Sequence, residues 1–342
     1  AQSLFPSFEC VNAKDAKVGG TPPLIVACYY FGGWKNSPEA YMTWYGSNVW
    51  GNSAPNNVFM ADYPTHHPLE GDYNEDTQTV IDNQLTAANI AGIDVFLVDW
   101  YDDVFLSHAA TRIAASATIG RLQWALMWAN SFANFSDSQN SRGYLFQGCL
   151  HAAMRMASSN YWQIGGKPVL VVLDQVHLLR CIRHATGNND SYVPTQNERT
   201  ELIASMRRVV TNYRNGDLTG GIVGSGDTAT VKGTDASGVY LTLLTIDFTG
   251  WALIAGIEAY GEYNKHGGTY ASVERNAQSF AEVSQGIQQS RDLYGVTLSS
   301  FAPTKKWWPT CSAGSDHRPW GASSNPLDDN CLPPAASDLQ TQ

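Results

Sequence analysis

The sequence predicts an α/β fold, a (β/α)8 TIM-like barrel whose eighth unit is irregular or incomplete. Three observations carry this. Apolar runs of strand length are unbroken, as strands covered on both faces require. Segments with apolar residues at helical spacing alternate with them, which makes a parallel sheet, and seven or eight such units favour a barrel over an open sheet. Polar and aromatic residues recur at the carboxyl ends of the runs, the end at which barrels build their sites. The 342 residues suit one barrel domain, 1–342, with an irregular segment 1–23 and an irregular tail 321–342.

In chain order, the first strand spans Leu24 to Tyr30 and runs into Phe31, Gly32, Gly33 and Trp34. A long loop rich in Asn, Pro, Trp and Tyr follows, to about Asp72. Asn74 can cap the next helix, with Glu75 and Asp76 at the positive end of its dipole and Gly92 as its stop. The run Val95 to Val98 then delivers Asp99, Trp100 and Tyr101. A helix over Ala109–Ile119 leads to a strand over Leu122–Trp128, which ends in Ala129 and Asn130. A helix from about Tyr144 to Ser158 precedes a strand over Val169–Leu173, with Asp174 at its end. Thr195 and Glu198 have capping-box spacing before a helix closed by Gly216. A short strand is expected at Gly221–Gly224, and stronger ones at Val239–Ile246, before Asp247, and at Gly256–Tyr260, which contains Glu258. A long helix over Val273–Leu293 and a strand over Val296–Phe301 complete the pattern.

Composition excludes some functions and favours others. With 21 Lys and Arg against 31 Asp and Glu, the net charge of -10 argues against nucleic acid or an anionic membrane as a partner. No apolar stretch has the length of a membrane span. The six cysteines lack CxxC pairing, and their even number predicts three disulfides, with Cys311 to Cys331 the natural closure of the tail; buried free thiols in a cytosolic enzyme are the alternative. The Ala-Gln-Ser start reads as the residue of a cleaved leader, and Asn134 and Asn189 head glycosylation sequons. These readings predict a secreted, extracellular or periplasmic protein.

The strand ends gather acids and aromatics. Candidate catalytic groups are Asp99, Asp174, Asp247, Glu258 and Asp316; candidate binding groups are Tyr30, Trp34, His67, Trp100, Tyr101, Trp128, Asn130, His317, Arg318 and Trp320. Sugars stack C–H faces on such rings and offer hydroxyls to Asp, Asn and His. Hydrolysis of a glycosidic bond needs two carboxyl groups in different environments. Each acid also has a plainer use: Asp99 at a strand end, Asp247 as a cap, Glu258 in a salt bridge at the opposite end of its strand. Asp72, Asn74 and Asp76 begin like a calcium loop, but Thr77 and Asn83 stand where glycine and glutamate are required. His66, His67 and Glu70 do not make a zinc site. No phosphate loop, dinucleotide fingerprint or nucleophile elbow is present. No metal or cofactor is therefore expected, and a carbohydrate is the expected ligand.

The segments ACYYFGGW, HHPLEGDY, AGIDVFLVDWY, WALMWANSF, GGKPVLVV and PTCSAGSDHRPW, in that order, resemble the glycoside hydrolase family 99-like proteins, which include endo-α-mannosidases and WbsX-type proteins. The resemblance spans roughly residues 24 to 320. It implies a (β/α)8 barrel and α-linked glycan substrates, with Tyr30, Asp99, Trp100, Trp128 and Asp316 to Arg318 lining the cleft. The family's late Asn-Glu-Trp strand end, with a second glutamate soon after, does not occur here, and the family's Asn-Glu step is Asn130-Ser131. The sequence therefore predicts a glycoside hydrolase acting on a mannan-like or glucan-like α-linked glycan with its carboxylates redistributed. A non-catalytic glycan-binding or extracellular structural protein on the same frame is the alternative.

Overall fold

The computed structural model describes residues 25–32, 73–102, 107–130, 140–187, 191–234, 237–244, 248–251, 254–261, 298, 300, 302 and 304–308. Trp34, His67, Asp247, Asp316, His317, Arg318, Trp320, the helix expected over 273–293 and the sequon residues Asn134 and Asn189 lie outside them.

The elements run in chain order as β1 (Ala27–Tyr30), α1 (Gln78–Ala91), β2 (Val95–Trp100), α2 (Ser107–Ala115), β3 (Gln123–Trp128) and α3 (Arg142–Arg155). There follow β4 (Gln163–Ile164), β5 (Lys167–Val172), α4 (Gln175–Ala185), α5 (Gln196–Arg214), β6 (Ile222–Val223), β7 (Thr230–Val231), β8 (Tyr240–Leu244), α6 (Phe248–Trp251), β9 (Ala259–Gly261) and β10 (Lys306–Trp308). One sheet has the path β1-β2-β3-β5-β8-β9-β10, and every step along it is parallel. Sheet order follows chain order without a reversal. A doubly wound sheet reverses at its switch point; a barrel does not. The architecture is thus that of a (β/α)8 barrel, of which the described residues supply seven parallel strands.

Local chemistry explains most of the elements. In α1, Ile81, Leu85 and Ala88 are buried, and Gly92 closes the helix with φ 83°. The helix starts later than Asn74: Thr77 occupies the N-cap, while the Asn74 side chain accepts from the Asp76 amide at 3.0 Å. Strand β2 is buried at all its positions, as its unbroken apolar run predicts. In α5 the Thr195–Glu198 capping box is formed, and Leu202, Ile203, Met206, Val209 and Val210 are buried.

Segment 175–185, for which no element is expected, is a helix, α4, that burying Leu178, Cys181 and Ile182 stabilises. Several expectations are corrected. The strand expected at Gly221–Gly224 belongs to a small antiparallel ribbon, β6 with β7, outside the barrel sheet. Where a last strand was expected over Val296–Phe301, Leu298 and Ser300 are helical, and the Ala302 amide bonds the Leu298 carbonyl at 2.8 Å. The strand beside β9 is β10 instead. Cys28, Cys149 and Cys181 are free thiols, so three disulfides do not form. Cys149 and Cys181 are 0% exposed and serve as core residues, a common use of small thiols. Cys10, Cys311 and Cys331 lie outside the described residues.

The two faces of the sheet can be told apart. A Cβ added at Gly148 of α3 would meet Trp128 Cζ2 at 2.3 Å, so the Trp128 indole lies flush against that helix. Registered partners of parallel strands share a face, and successive residues alternate. Trp100, paired with Trp128, therefore also faces the helices, and the two rings lie 5.8 Å apart. Asp99 and Met127, paired one step earlier, face the barrel interior. Thr242 shares that interior face through Val171. Farther along the sheet, Trp308 stacks on Tyr240 with ring centroids 6.2 Å apart and meets Trp162 at 5.4 Å. These rings supply apolar bulk near the last strands.

Candidate active site at the carboxyl end of the sheet

Asp99 stands one residue before the end of β2, on the interior face, and is 3% exposed. An ionised carboxylate in such a place is costly unless polar partners surround it, which makes Asp99 the site's most informative acid. Trp100 and Trp128 were expected beside it as sugar platforms. Both are almost fully buried between sheet and helices, so they form the wall behind the site and offer no face to a ligand.

Tyr30, at the end of β1, stacks on Phe96 at 4.9 Å. Its hydroxyl lies 3.0 Å from Glu75 Oε1 and 2.5 Å from Gln84 Oε1 on α1. Burial pushes the phenol well above its ordinary range, and the Glu75 charge beside it pushes the same way. Tyr30 therefore stays a neutral donor. Glu75 is 1% exposed; the sequence had assigned it to a helix first turn. Its enclosure comes from the contact with Tyr30, 45 residues away in the chain.

Asn130 and Asp174 meet at the ends of β3 and β5. The Asn130 amide donates to the Asp174 carbonyl at 2.8 Å, and its Oδ1 accepts the Asp174 amide at 2.7 Å. The second amide hydrogen faces His177 Nδ1 at 3.3 Å. Asn130 is 0% exposed and joins two strand ends. Asp174 Oδ1 accepts the Val176 amide at 2.6 Å and so caps α4. Asp174 nevertheless remains half-buried at the same end of the sheet as Asp99. These are the two proposed catalytic acids that the described residues bring to one end.

Glu258 lies at the other end. It precedes β9, accepts the Leu241 amide at 2.9 Å and pairs with Arg207 at 2.5 Å. Lys305 caps the carbonyl of Ile254 at 2.9 Å beside it. This is the structural salt bridge, and Glu258 is removed from the strand ends where Asp99 stands.

Two residues absent from the sequence reading complete the site's margin. Just past Tyr101, Asp102 is 7% exposed, has φ 57° and binds His151 Nδ1 through Oδ1 at 2.8 Å. A left-handed conformation costs an L-residue about 1–2 kcal/mol, though aspartate is among the residues that tolerate it best. A hydrogen bond to a charged group, at about 1.5–3 kcal/mol, is enough to offset that. Among the described residues no group of three or more His, Cys, Asp or Glu is gathered as a metal site would need. No described helix is long and apolar enough to cross a membrane.

With the geometry in hand, comparison with known proteins concerns the frame. The structure of a GH99 endo-alpha-mannosidase from Bacteroides thetaiotaomicron, in complex with bis-tris-propane, superposes with a TM-score of 0.50 at 13% identity, over 89% of this chain and 74% of that one. The likeness is one of fold. A second structure of a GH99 endo-alpha-mannosidase from Bacteroides thetaiotaomicron gives 0.49 at 13% identity, over 89% and 76% of the two chains. No family model matches the sequence. No curated protein matches it either. The family resemblance read from sequence segments is thus supported at the level of a GH99-like barrel.

Proposed function

We propose that this chain is a secreted glycoside hydrolase acting on an α-linked glycan, mannan-like or glucan-like, with Asp99 as one of its working carboxylates. The observation that carries the reading is a carboxylate nearly enclosed inside a parallel barrel sheet, one residue from the strand end at which barrels do their chemistry. The fold likeness to endo-alpha-mannosidases supports it. Asp174, half-buried at the same end, is the described acid best placed to be the second, with Oδ1 accepting the Val176 amide as the cap of α4. A retaining site would hold the two carboxyls about 5 Å apart and an inverting one roughly 6.5–9.5 Å apart. Secretion rests on the sequons and the composition, because the described cysteines are free.

One observation favours the non-catalytic alternative: Trp100, Trp128 and Asn130, three of the expected ligand contacts, are occupied by the fold itself. The two readings separate in one experiment. The protein is incubated with a panel of α-mannans and α-glucans, and new reducing ends are measured for wild type and Asp99→Asn. The hydrolase reading expects release by wild type and a loss of about 10²–10⁴-fold in the variant. Saturable glycan binding without any release would establish the alternative, and unchanged activity in Asp99→Asn would remove Asp99 from the chemistry.

A further inference from the structure

Among the described residues Asp102 is the one non-glycine residue with a left-handed backbone. It sits where the chain leaves β2, three residues after Asp99, and its side chain is 5% exposed. A carboxylate only accepts, so in the 2.8 Å contact the hydrogen belongs to His151 Nδ1, which fixes the imidazole tautomer when neutral. His151 is carried by α3, the helix that meets Trp128 through Gly148. Strand β3 is also tied to the end of β2, since the Ala129 amide bonds the Trp100 carbonyl at 2.9 Å. The exit of β2 is thereby held from two sides. One hold is the neighbouring strand; the other is a side chain from the helix packed behind that strand.

We propose that Asp102 and His151 form a positioning pair that fixes the turn after β2 and, through it, the backbone presenting Asp99 and Tyr101. Neither residue touches the reacting atoms in this role. The pair makes an unfavourable turn conformation the stable one, and so sets the direction from which the β2 exit meets a ligand. The kinetic part of this inference rests on the hydrolase reading above; the conformational part does not.

The test uses the full chain with His151→Ala, His151→Asn and Asp102→Gly. Asparagine keeps an N–H donor near the Nδ1 position, and glycine keeps the left-handed turn while removing the carboxylate. Amide hydrogen exchange over residues 99–102 is measured with the melting temperature, and kcat and KM with a cleaved glycan. For His151→Ala, faster exchange at 99–102 is expected with little change in melting temperature. A fall of about 10- to 100-fold in kcat, at nearly constant KM, should accompany it. His151→Asn should restore both. Asp102→Gly should match His151→Ala in exchange, because the turn survives but its anchor does not. Unaltered exchange in His151→Ala overturns the pair whatever the activity. Faster exchange with wild-type kcat also overturns the positioning role. A wild type that cleaves no glycan overturns the hydrolase reading alone, and the exchange results then decide the pair.

Discussion

Asn130 grips both backbone groups of Asp174, accepting its amide at 2.7 Å and donating to its carbonyl at 2.8 Å. This is how the ends of β3 and β5 stay together after their ladder stops. It also sets the start of α4, because Asp174 is the residue that caps it.

Replacing Asn130 by alanine should therefore act on stability first. It removes the bond to His177 Nδ1, which is buried, and those to the two backbone groups of Asp174, which are half-buried, at a cost of about 3 kcal/mol. Denaturant unfolding of Asn130→Ala measures it. A direct role in sugar binding predicts the opposite pattern, a weaker affinity with unchanged stability.

What was legible in the sequence follows from how much each signal depends on context. The apolar run of β2, the Thr195–Glu198 box and the Gly92 stop are local and were readable. Strand β10 offers only Lys306, Trp307 and Trp308, whose place is set by pairing with β9. Helix α4 buries Leu178, Cys181 and Ile182 at helical spacing, but its many polar residues hid the stripe. Strand geometry divides the candidate site residues of β2. Asp99 and Trp100 are successive strand residues, so they face opposite sides of the sheet, and they cannot both line one cleft from within β2. That consequence of strand geometry was available from the residue numbers alone. By contrast, the enclosure of Glu75 and the turn at Asp102 depend on tertiary contacts with Tyr30 and His151 that no local pattern reveals.

Glu198 gives the protein a predictable response to acid. Burial alone would raise its pKa, but hydrogen bonds from the Thr195 amide, the Tyr192 hydroxyl and the Thr195 hydroxyl, with the Arg142 charge, outweigh it and hold the carboxyl below its ordinary 4.5. A depressed folded-state pKa means that the stabilisation is present above the unfolded value and is lost as pH falls through the folded one. Thr195→Ala removes the cap and should cost about 1 kcal/mol near neutrality. The gap between wild type and variant should narrow below pH 4.5, as Glu198 takes up its proton in both. Urea unfolding at neutral pH and at a series of acid pH values follows it; a gap that widens in acid would contradict the assignment.

The free thiols are expected to differ sharply in reactivity. The thiolate is the reacting form, and burial pushes Cys149 and Cys181 well above the ordinary thiol range, with the nearby charges of Asp102 and Asp227 respectively adding to it. Both are also 0% exposed, on α3 and α4. Cys28 lies on β1 and is exposed, so reagent can reach it, although its pKa is also raised by burial of its surroundings. A thiol-blocking reagent at mildly alkaline pH should therefore label Cys28 in the native protein and leave the other two unmodified. Denaturation without reductant should expose Cys149 and Cys181 to the same reagent, and peptide mapping by mass spectrometry assigns each label. If those two cysteines resist labelling until a reductant is added, they are joined in disulfides, and the core packing of α3 and α4 must be redrawn around the bond.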